Sequence, residues 1–317
     1  MTTIFDPNQT PTVSIGYQNI PNILDNGGFE IWQRGTTFVN PTASAYTTDR
    51  WQFTYAGTAP VVTVSQESTI VDSGNFSCKL LYTSVSGTSF TQFGQPVENY
   101  KAYAGKTITL SMRVWSNVAG SSLELASAAG NFASSSAHPG DSAWHTLSVT
   151  YNVVANPSFL LVYFNPVLAA GTHYIDSAML IIGNQPVSFV PTHPAVDFER
   201  CQRYYEVGTL DMLHPVWSNA NNSLTSYYMR DFRVIKAYAP TVTVTKPSPT
   251  IFLDNLSPNS TGGTSGSYTP DTSSSWSASS GAVTTGGFQC TMSRASATPS
   301  VSNLIESGPT WTASADL

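Results

Sequence analysis

Aromatic side chains are the residues of this chain best suited to chemistry at a surface, because a flat ring can pack against the apolar C–H face of a pyranose sugar. The sequence contains 7 Trp, 15 Tyr and 15 Phe. Trp115 alternates with the apolar residues of a predicted strand and so points away from the core that they form. We therefore predict that Trp115 contacts a ligand or another subunit. The same role is predicted for Trp217, Tyr268 and Trp276.

The residue patterns of common enzymes are incomplete in this chain. Residues Ala104–Thr107 resemble the end of a phosphate-binding loop, but Tyr100 stands where a glycine is required and a strand follows instead of a helix. The five histidines form no HExxH motif or other close ligand pair, and there is no GxSxG motif. These absences predict a protein that is not an enzyme.

Carboxylates are the residues that glycoside hydrolysis would require, since that reaction needs two that face each other across the scissile bond. None of the candidates forms a recognisable pair in the sequence, and no long solenoid repeat of the kind found in depolymerases occurs. The candidates are Asp25, Glu30, Asp49, Asp72, Glu98 and Asp176. A polysaccharide-cleaving role is therefore the least favoured of the functions considered.

The composition favours a neutral, hydrogen-bonding surface. Charged residues make up 10% of the chain, against roughly 25% in ordinary soluble domains, and Ser and Thr fill the polar positions. With 13 Lys+Arg against 19 Asp+Glu and no basic run, nucleic-acid binding is excluded. Such a surface is typical of an extracellular structure, of sugar contact or of a large subunit interface.

Cysteine usage and hydropathy limit the class of protein further. Cys78, Cys201 and Cys290 are odd in number and far apart, which predicts buried thiols instead of a zinc site or a disulfide framework. The first 12 residues are polar and lack the apolar segment of a secretory signal. No run of about 18 apolar residues occurs, so insertion in a membrane is not expected.

The elements that must position these residues are mostly short strands. Residues 1–21 are rich in Pro, Asn, Gln and Thr and predict an extended arm. Residues 22–192 carry short strands separated by Gly, Pro, Asn and Ser, which predicts an all-β sandwich. The predicted strands include Thr107–Trp115, His145–Val153, Ser158–Phe164 and Tyr174–Ile182. The third is a nearly continuous apolar run and is predicted to be buried on both faces.

A single helix is predicted over residues 194–206, within a junction that spans 193–207. Pro194 suits a first helical turn, Phe198, Cys201 and Tyr205 share one face, and Gly208 follows as a stop. Residues 208–317 then form a predicted C-terminal β domain. Its expected elements are strands at Arg230–Lys236 and Thr241–Thr245, long Ser/Thr/Gly-rich loops over 256–287, and a closing edge strand at Thr310–Leu317.

An ordered set of motifs resembles the opening of phage tail and fibre proteins that carry a jelly roll like that of carbohydrate-binding modules. The set begins with Asn22–Glu30 and Asp49–Trp51, and continues with Asp72–Gly74, Ala104–Ser111, Trp144–Leu147 and Tyr174–Ser177. The segment Cys201–Glu206 resembles the helix that often follows such a module, and Trp311–Leu317 resembles the end domain of that group. The resemblance covers roughly residues 22–190.

The resemblance implies a bacteriophage virion fibre, of tail or head, that is commonly a homotrimer and contacts bacterial surface polysaccharide. The arm 1–21 would then attach to other virion proteins. The protein would be made in the host cytoplasm without a signal peptide and be released by lysis within the particle. The alternative left open is a purely architectural capsid-decoration, collar or baseplate protein.

The resemblance further implies a structural calcium, whose matching positions are Glu30 on the opening strand and Asp176 on the closing strand. Carboxylate oxygens suit this hard cation. For each residue the alternative is a carboxylate that accepts hydrogen bonds in a turn. The usual sugar-binding groove residues of the module are not identifiable, so the resemblance carries over no sugar site.

Overall fold

The all-β class predicted from strand periodicity is confirmed by the structure, a computed structural model. It describes residues 21–210, 212–216, 224–245, 253–254, 269–270, 276–294, 302–306 and 310–316. The strands of these segments pair antiparallel and are joined by one α-helix and one short 3₁₀ helix. None of the helices in these segments is long and apolar enough to cross a membrane. The predicted arm 1–21 lies outside them except for Pro21.

Two six-stranded sheets form the sandwich. In the first sheet the order is β1-β4-β5-β12-β7-β10, with bounds β1 Thr37–Val39, β4 Val61–Glu67, β5 Ser77–Ser84, β7 Thr107–Ser116, β10 Trp144–Asn152 and β12 Gly171–Ile182. In the second sheet the order is β2-β3-β6-β11-β8-β9, with bounds β2 Ala45–Tyr46, β3 Gln52–Gly57, β6 Thr88–Pro96, β8 Ser122–Ala128, β9 Asn131–Ser134 and β11 Leu161–Asn165. The 3₁₀ helix spans Tyr100–Tyr103.

The core lies between these sheets, because alternate residues of each strand point inward. On β7 the inner residues Ile108, Leu110, Met112 and Val114 are buried, as their period of two predicts. Aromatic rings fill one end of the core, where the ring of Trp51 stacks on that of Phe93 with centroids 5.7 Å apart. Such stacked aromatic pairs add to the free energy of burial.

The two opening motifs, Asn22–Glu30 and Asp49–Trp51, lie next to each other and are joined by hydrogen bonds. Asn26, fully buried at a backbone φ of 50°, donates through Nδ2 to Thr48 Oγ1 at 2.9 Å and to the Asp49 carbonyl oxygen at 3.1 Å. Its Oδ1 accepts from the Ile31 amide at 3.0 Å. In return, Trp51 Nε1 donates to the Asn26 carbonyl at 3.1 Å. Buried polar groups must be paired in this way, so the motif residues serve the fold.

The predicted helix exists but is shorter than expected. Helix α1 spans Pro194–Gln202, with His193 as its N-cap and Pro194 in the first turn. The prediction to residue 206 is wrong, because Tyr205 already starts a strand. Gly208 is not the stop either. It lies within that strand, and a Cβ there would come within 2.7 Å of the Trp311 ring.

The C-terminal strands form three small antiparallel sheets. The strands are β13 Tyr205–Thr209, β14 Met212–Val216, β15 Leu224–Asp231, β16 Thr241–Thr245, β17 Leu253–Asp254, β18 Thr269–Pro270, β19 Trp276–Gly281, β20 Gly287–Arg294, β21 Ser302–Glu306 and β22 Thr310–Ser314. The sheet orders are β13-β22-β16, β14-β21-β17-β18 and β15-β20-β19. Of the range 256–287, predicted as long loops with at most short strands, residues 256–268 and 271–275 lie outside the described residues, and Trp276–Gly281 forms the short strand β19.

Three strand predictions need correction. The Ser158–Phe164 run is not buried on both faces: β11 starts at Leu161, and Tyr163 on its outer face is only half-buried. The strand predicted at Arg230–Lys236 is instead Leu224–Asp231, and Lys236 lies beyond it, with its Nζ donating to the Gln202 carbonyl at 2.6 Å. The final strand is no edge, since β22 pairs with both β13 and β16.

The cysteine prediction is confirmed. Cys78, Cys201 and Cys290 are all buried and form no disulfide. Burial raises the pKa of the Cys78 and Cys201 thiols well above their usual value, so these sulfurs stay protonated and unreactive at neutral pH.

Candidate functional site

Trp115 lies on the outer face of the first sheet, away from the core. It is half-buried, while its neighbour Val114 points inward and is fully buried. The strand register places Trp144 of β10 on one side of Trp115 and Tyr174 of β12 on the other. Directly opposed residues of paired strands have Cβ atoms about 5 Å apart, so the three side chains form a continuous row. We call Trp144, Trp115 and Tyr174 the aromatic row.

Tyr174 supports Trp115 from the neighbouring strand β12. Its ring centroid lies 5.0 Å from that of Trp115 at an interplanar angle of 75°, an edge-to-face contact. Tyr174 is only 6% exposed, whereas Trp115 and Trp144 are both partly open. Lys79 Nζ lies 5.6 Å from the Tyr174 ring centroid and 3.7 Å from Glu67 Oε2. The row is therefore held in place before any ligand arrives, which reduces the entropy lost on binding.

A polar groove of about 410 Å³ adjoins the aromatic row on the same face. Arg113, the next outer residue of β7, donates through Nε to Asp72 Oδ1 at 2.8 Å and through Nη1 to Thr146 Oγ1 at 3.1 Å. Ser111 and Ser188 also line the groove. Fixed donors and acceptors beside flat rings are the two elements that sugar recognition requires.

Sequence reasoning identified Trp115 but did not single out the other members of the row. Trp144 stands one residue before the strand predicted at His145–Val153, and Tyr174 starts another predicted strand. Their approach to Trp115 depends on the register between strands separated by 28 or more residues. If the strand order had been known, aligning the outer faces of the predicted strands would have placed Trp144 and Tyr174 beside Trp115.

The other predicted aromatic contacts cannot be placed around this row. Trp217 and Tyr268 lie outside the described residues. Trp276 is the first residue of β19, where it pairs in register with Arg294 of β20. Their roles therefore stay predictions.

Comparison with known proteins finds similarity at the level of structure alone. No protein-family model matches the chain, and no curated protein matches its sequence. The enzymatically active domain of bacteriophage CBA120 tailspike protein 4 matches 51% of this chain but 21% of its own, with 14% identity and a TM-score of 0.38. The C-terminal family 22 carbohydrate-binding module of Clostridium thermocellum Xyn10B matches 49% of this chain and 99% of its own, with 12% identity and a TM-score of 0.34.

A third structure, TmCBM61 in complex with β-1,4-galactotriose, matches 51% of this chain and 99% of its own, with 13% identity and a TM-score of 0.34. The structural neighbours are thus carbohydrate-binding modules and a phage tailspike domain. Identities this low carry no information about ligand or activity. The function of this chain therefore has to come from its own surface.

Glu30 and Asp176, the residues predicted to hold calcium, accept hydrogen bonds from opposite ends of the loop 72–76. Asp176 Oδ2 accepts from the backbone amides of Asp72 and Ser73 at 3.0 and 2.9 Å, and its Oδ1 accepts from the Ser177 amide at 2.6 Å. Glu30 Oε1 accepts from the Asn75 amide at 2.6 Å, and Glu30 Oε2 from Asn75 Nδ2 at 3.1 Å.

This geometry matches the alternative interpretation, carboxylates that accept hydrogen bonds in a turn. All four carboxylate oxygens already accept hydrogen bonds, whereas calcium takes six to eight oxygen ligands. Burial nevertheless raises the pKa of Asp176 to about 7, despite the three backbone donors. A cation would relieve that penalty, so calcium at Glu30 and Asp176 stays a prediction.

The remaining candidate carboxylates are bound to structural partners. Asp25 bonds Arg50 at 3.0 Å and Arg200 at 2.6 Å. Glu98 accepts from Arg203 at 2.7 Å and from the Tyr204 hydroxyl at 2.6 Å. The third, Asp49, accepts from the Gln33 amide at 2.7 Å. Burial raises the pKa of Asp49 to about 6. Asp25 and Glu98 line one pocket of about 330 Å³, where each is paired with an arginine of helix α1 or its C-cap, and Asp49 is held within the sandwich.

Proposed function

We propose that this chain is a non-enzymatic, glycan-contacting β protein, and that it serves as a fibre subunit on the surface of a bacteriophage particle. The aromatic row is the observation that carries the glycan part of the proposal. Its rings offer an apolar platform for a pyranose, and the Arg113–Asp72–Thr146 groove beside it offers donors and acceptors for sugar hydroxyls.

The low charge of the chain supports this function. A bacterial surface polysaccharide is bound mainly through ring stacking and neutral hydrogen bonds, and a surface rich in Ser and Thr supplies those bonds. A single shallow row binds weakly. Several copies in one fibre would raise the overall affinity through avidity, without any new contact.

The virion assignment rests on the ordered motifs of the sequence. Within them, the Asn26 and Trp51 contacts explain why the motifs at 22–30 and 49–51 occur together. In this proposal the arm 1–21 attaches to another virion protein and the β domains project outward. An architectural capsid-decoration, collar or baseplate protein would share this fold and lack only the glycan contact.

The proposal is tested by measuring the binding of the purified chain to a glycan array and to host-cell surface polysaccharide. We expect Trp115→Ala and Trp144→Ala each to weaken binding by about fivefold or more, since truncating a central aromatic anchor typically removes more than about 1 kcal/mol. Phe132→Ala is the matched control, because Phe132 is 58% exposed on β9 of the opposite sheet.

Three results would contradict the proposal. If no host surface material binds the chain, the architectural role is favoured. If the polysaccharide is cut into shorter chains, the protein is an enzyme. Equal loss of binding in Phe132→Ala and Trp115→Ala would remove the aromatic row as the contact surface.

A further inference from the structure

We propose that His138, Asp141 and His145 form a binding site for a divalent transition-metal ion, with zinc the best match to the donors. The site spans the loop between β9 and β10 and the start of β10, where His145 follows Trp144 of the aromatic row. The proposal goes beyond glycan contact and does not depend on it. Sequence reasoning found no close ligand pair among the histidines, because His138 and His145 are seven residues apart and are brought together by a bend at residues 141–143.

The three side chains already converge. One ligand atom from each lies within 4.8 Å of the others, the one such group of three among the residues that the structure describes. His145 Nε2 lies 3.0 and 2.9 Å from the two carboxylate oxygens of Asp141. The His138 and His145 rings are perpendicular, with centroids 4.8 Å apart. Ligands of one tetrahedral zinc ion lie about 3.3 Å apart, so closure needs a shift of about 1.5 Å at most.

The ring proton of His138 is on Nε2, which leaves Nδ1 available to bind a metal ion. Its Nε2 lies 3.2 Å from the carbonyl oxygens of both Val114 and Ala143, so Nε2 is the donor. Its Nδ1 accepts from the Gly140 amide at 2.9 Å and is therefore unprotonated. Metal-bound histidines typically donate the second ring N–H to a backbone carbonyl. A metal ion at Nδ1 would replace the Gly140 amide and keep the bonds to the carbonyls.

The surroundings combine one fixed ligand with two adjustable ones. His138 is buried, and its backbone is tied to Gly120 and Ser121 by hydrogen bonds of 3.0 and 2.8 Å. The side chains of His145 and Asp141 are 38% and 48% exposed, so they can move toward an ion. Three protein ligands leave a fourth position open to water or to a donor from another molecule.

The experiment titrates ZnCl₂ into the untagged full chain by calorimetry and follows CoCl₂ binding by its visible absorption. We expect one ion per chain and cobalt bands typical of four-coordinate nitrogen and oxygen ligands. His145→Ala and Asp141→Ala should each weaken zinc binding by at least about tenfold. These two residues are chosen because a change at buried His138 could unfold the loop.

His193→Gln is the matched control, because His193 is exposed at the start of helix α1 and far along the chain from the loop. Its zinc affinity should equal that of the parent, and so should that of Trp115→Ala. The proposal is overturned if neither zinc heat nor cobalt bands appear. It is equally overturned if His145→Ala binds zinc as tightly as His193→Gln does.

Discussion

His173 is a buried, neutral histidine in the core of the sandwich. Its Nδ1 lies 3.0 Å from Ser116 Oγ, and its ring meets those of Tyr82 and Phe164 edge-on. Burial, with a smaller contribution from His138, lowers the pKa of His173 from 6.5 to about 4. The unfolded chain therefore takes up a proton below pH 6.5, whereas the folded chain does so only near pH 4. Stability contributed by the neutral ring is present above pH 6.5 and is lost as the pH falls toward 4.

We expect His173→Gln to flatten this acid dependence, since glutamine does not titrate. Between pH 6.5 and 4 the free energy of unfolding of the parent should fall by about 3 kcal/mol more than that of the variant. Urea unfolding at both pH values measures the difference. Asp49 and Asp176 act in the opposite direction, because their raised pKa values favour the folded state as the pH falls. For this reason the test compares variant with parent, and parallel curves would refute it.

Among individual residues, the sequence predicted the facing of Trp115 because strand alternation is local. It did not predict the partners of the buried acids. Asp25 meets Arg200 only because helix α1 packs against the opening turn, 175 residues away along the chain. Contacts of that kind follow from tertiary packing, which no local pattern contains.

At the level of elements, β13 and β22 are joined by an unusually close contact. Gly208 lies opposite Trp311 in the register of the two strands, and the indole covers it. Trp311 is buried and packs against the rings of Phe232 and Phe288, with centroids 5.7 and 5.2 Å away. A side chain at position 208 would therefore displace the centre of this small core.

We predict that Gly208→Ala destabilises the chain by about 1–3 kcal/mol, the usual penalty for overpacking. Gly281→Ala is the matched control, because Gly281 also lies in a strand and an added Cβ would approach only Gln289 Oε1, at 3.7 Å. Urea unfolding followed by tryptophan fluorescence measures both. Equal stability of the two variants would show that the Trp311 contact is not tight in solution.

Four of the twelve strands of the sandwich were placed from the sequence, since their alternation is regular. The C-terminal end of helix α1 and the central position of β22 in its sheet were not predicted from the sequence. Residues 203–206 keep a helical pattern, but Tyr205–Thr209 pairs with β22 along its whole length, and such tertiary pairing overrides a local helical preference. The tail at Thr310–Ser314 looked like an edge strand because its partners at 205–209 and 241–245 are distant in sequence.

For the whole molecule, exposed apolar side chains indicate where copies of the chain could meet. On β15, Tyr227 and Met229 are 66% and 72% exposed and lie two residues apart on one face of the strand. Ile235, in the segment after β15, is 70% exposed. Solvent-exposed clusters of this kind favour an interface with another protein surface.

We expect the purified chain to form a trimer, with a mass by light scattering of about three times 34.0 kDa. The double change Tyr227→Asp and Met229→Asp should lower that mass, because it places charge in the proposed contact. Val39→Asp is the control, since Val39 is equally exposed, at 68%, but belongs to the sandwich. A monomeric parent at micromolar concentration would contradict the prediction.

The pairing of β13 with β22 also determines how an applied force is distributed within the molecule. The last strand runs antiparallel beside the strand that leaves helix α1, and the Ala315 amide bonds the Tyr204 carbonyl at 2.7 Å. Arg34 of the sandwich bonds Asp316 just beyond. Residues 210–309 are therefore connected to the sandwich through two adjacent, paired strands. A force applied at a distant attachment would be shared by the backbones of β13 and β22. The hydrogen bonds between these two strands would bear the load together, instead of one strand bearing it alone.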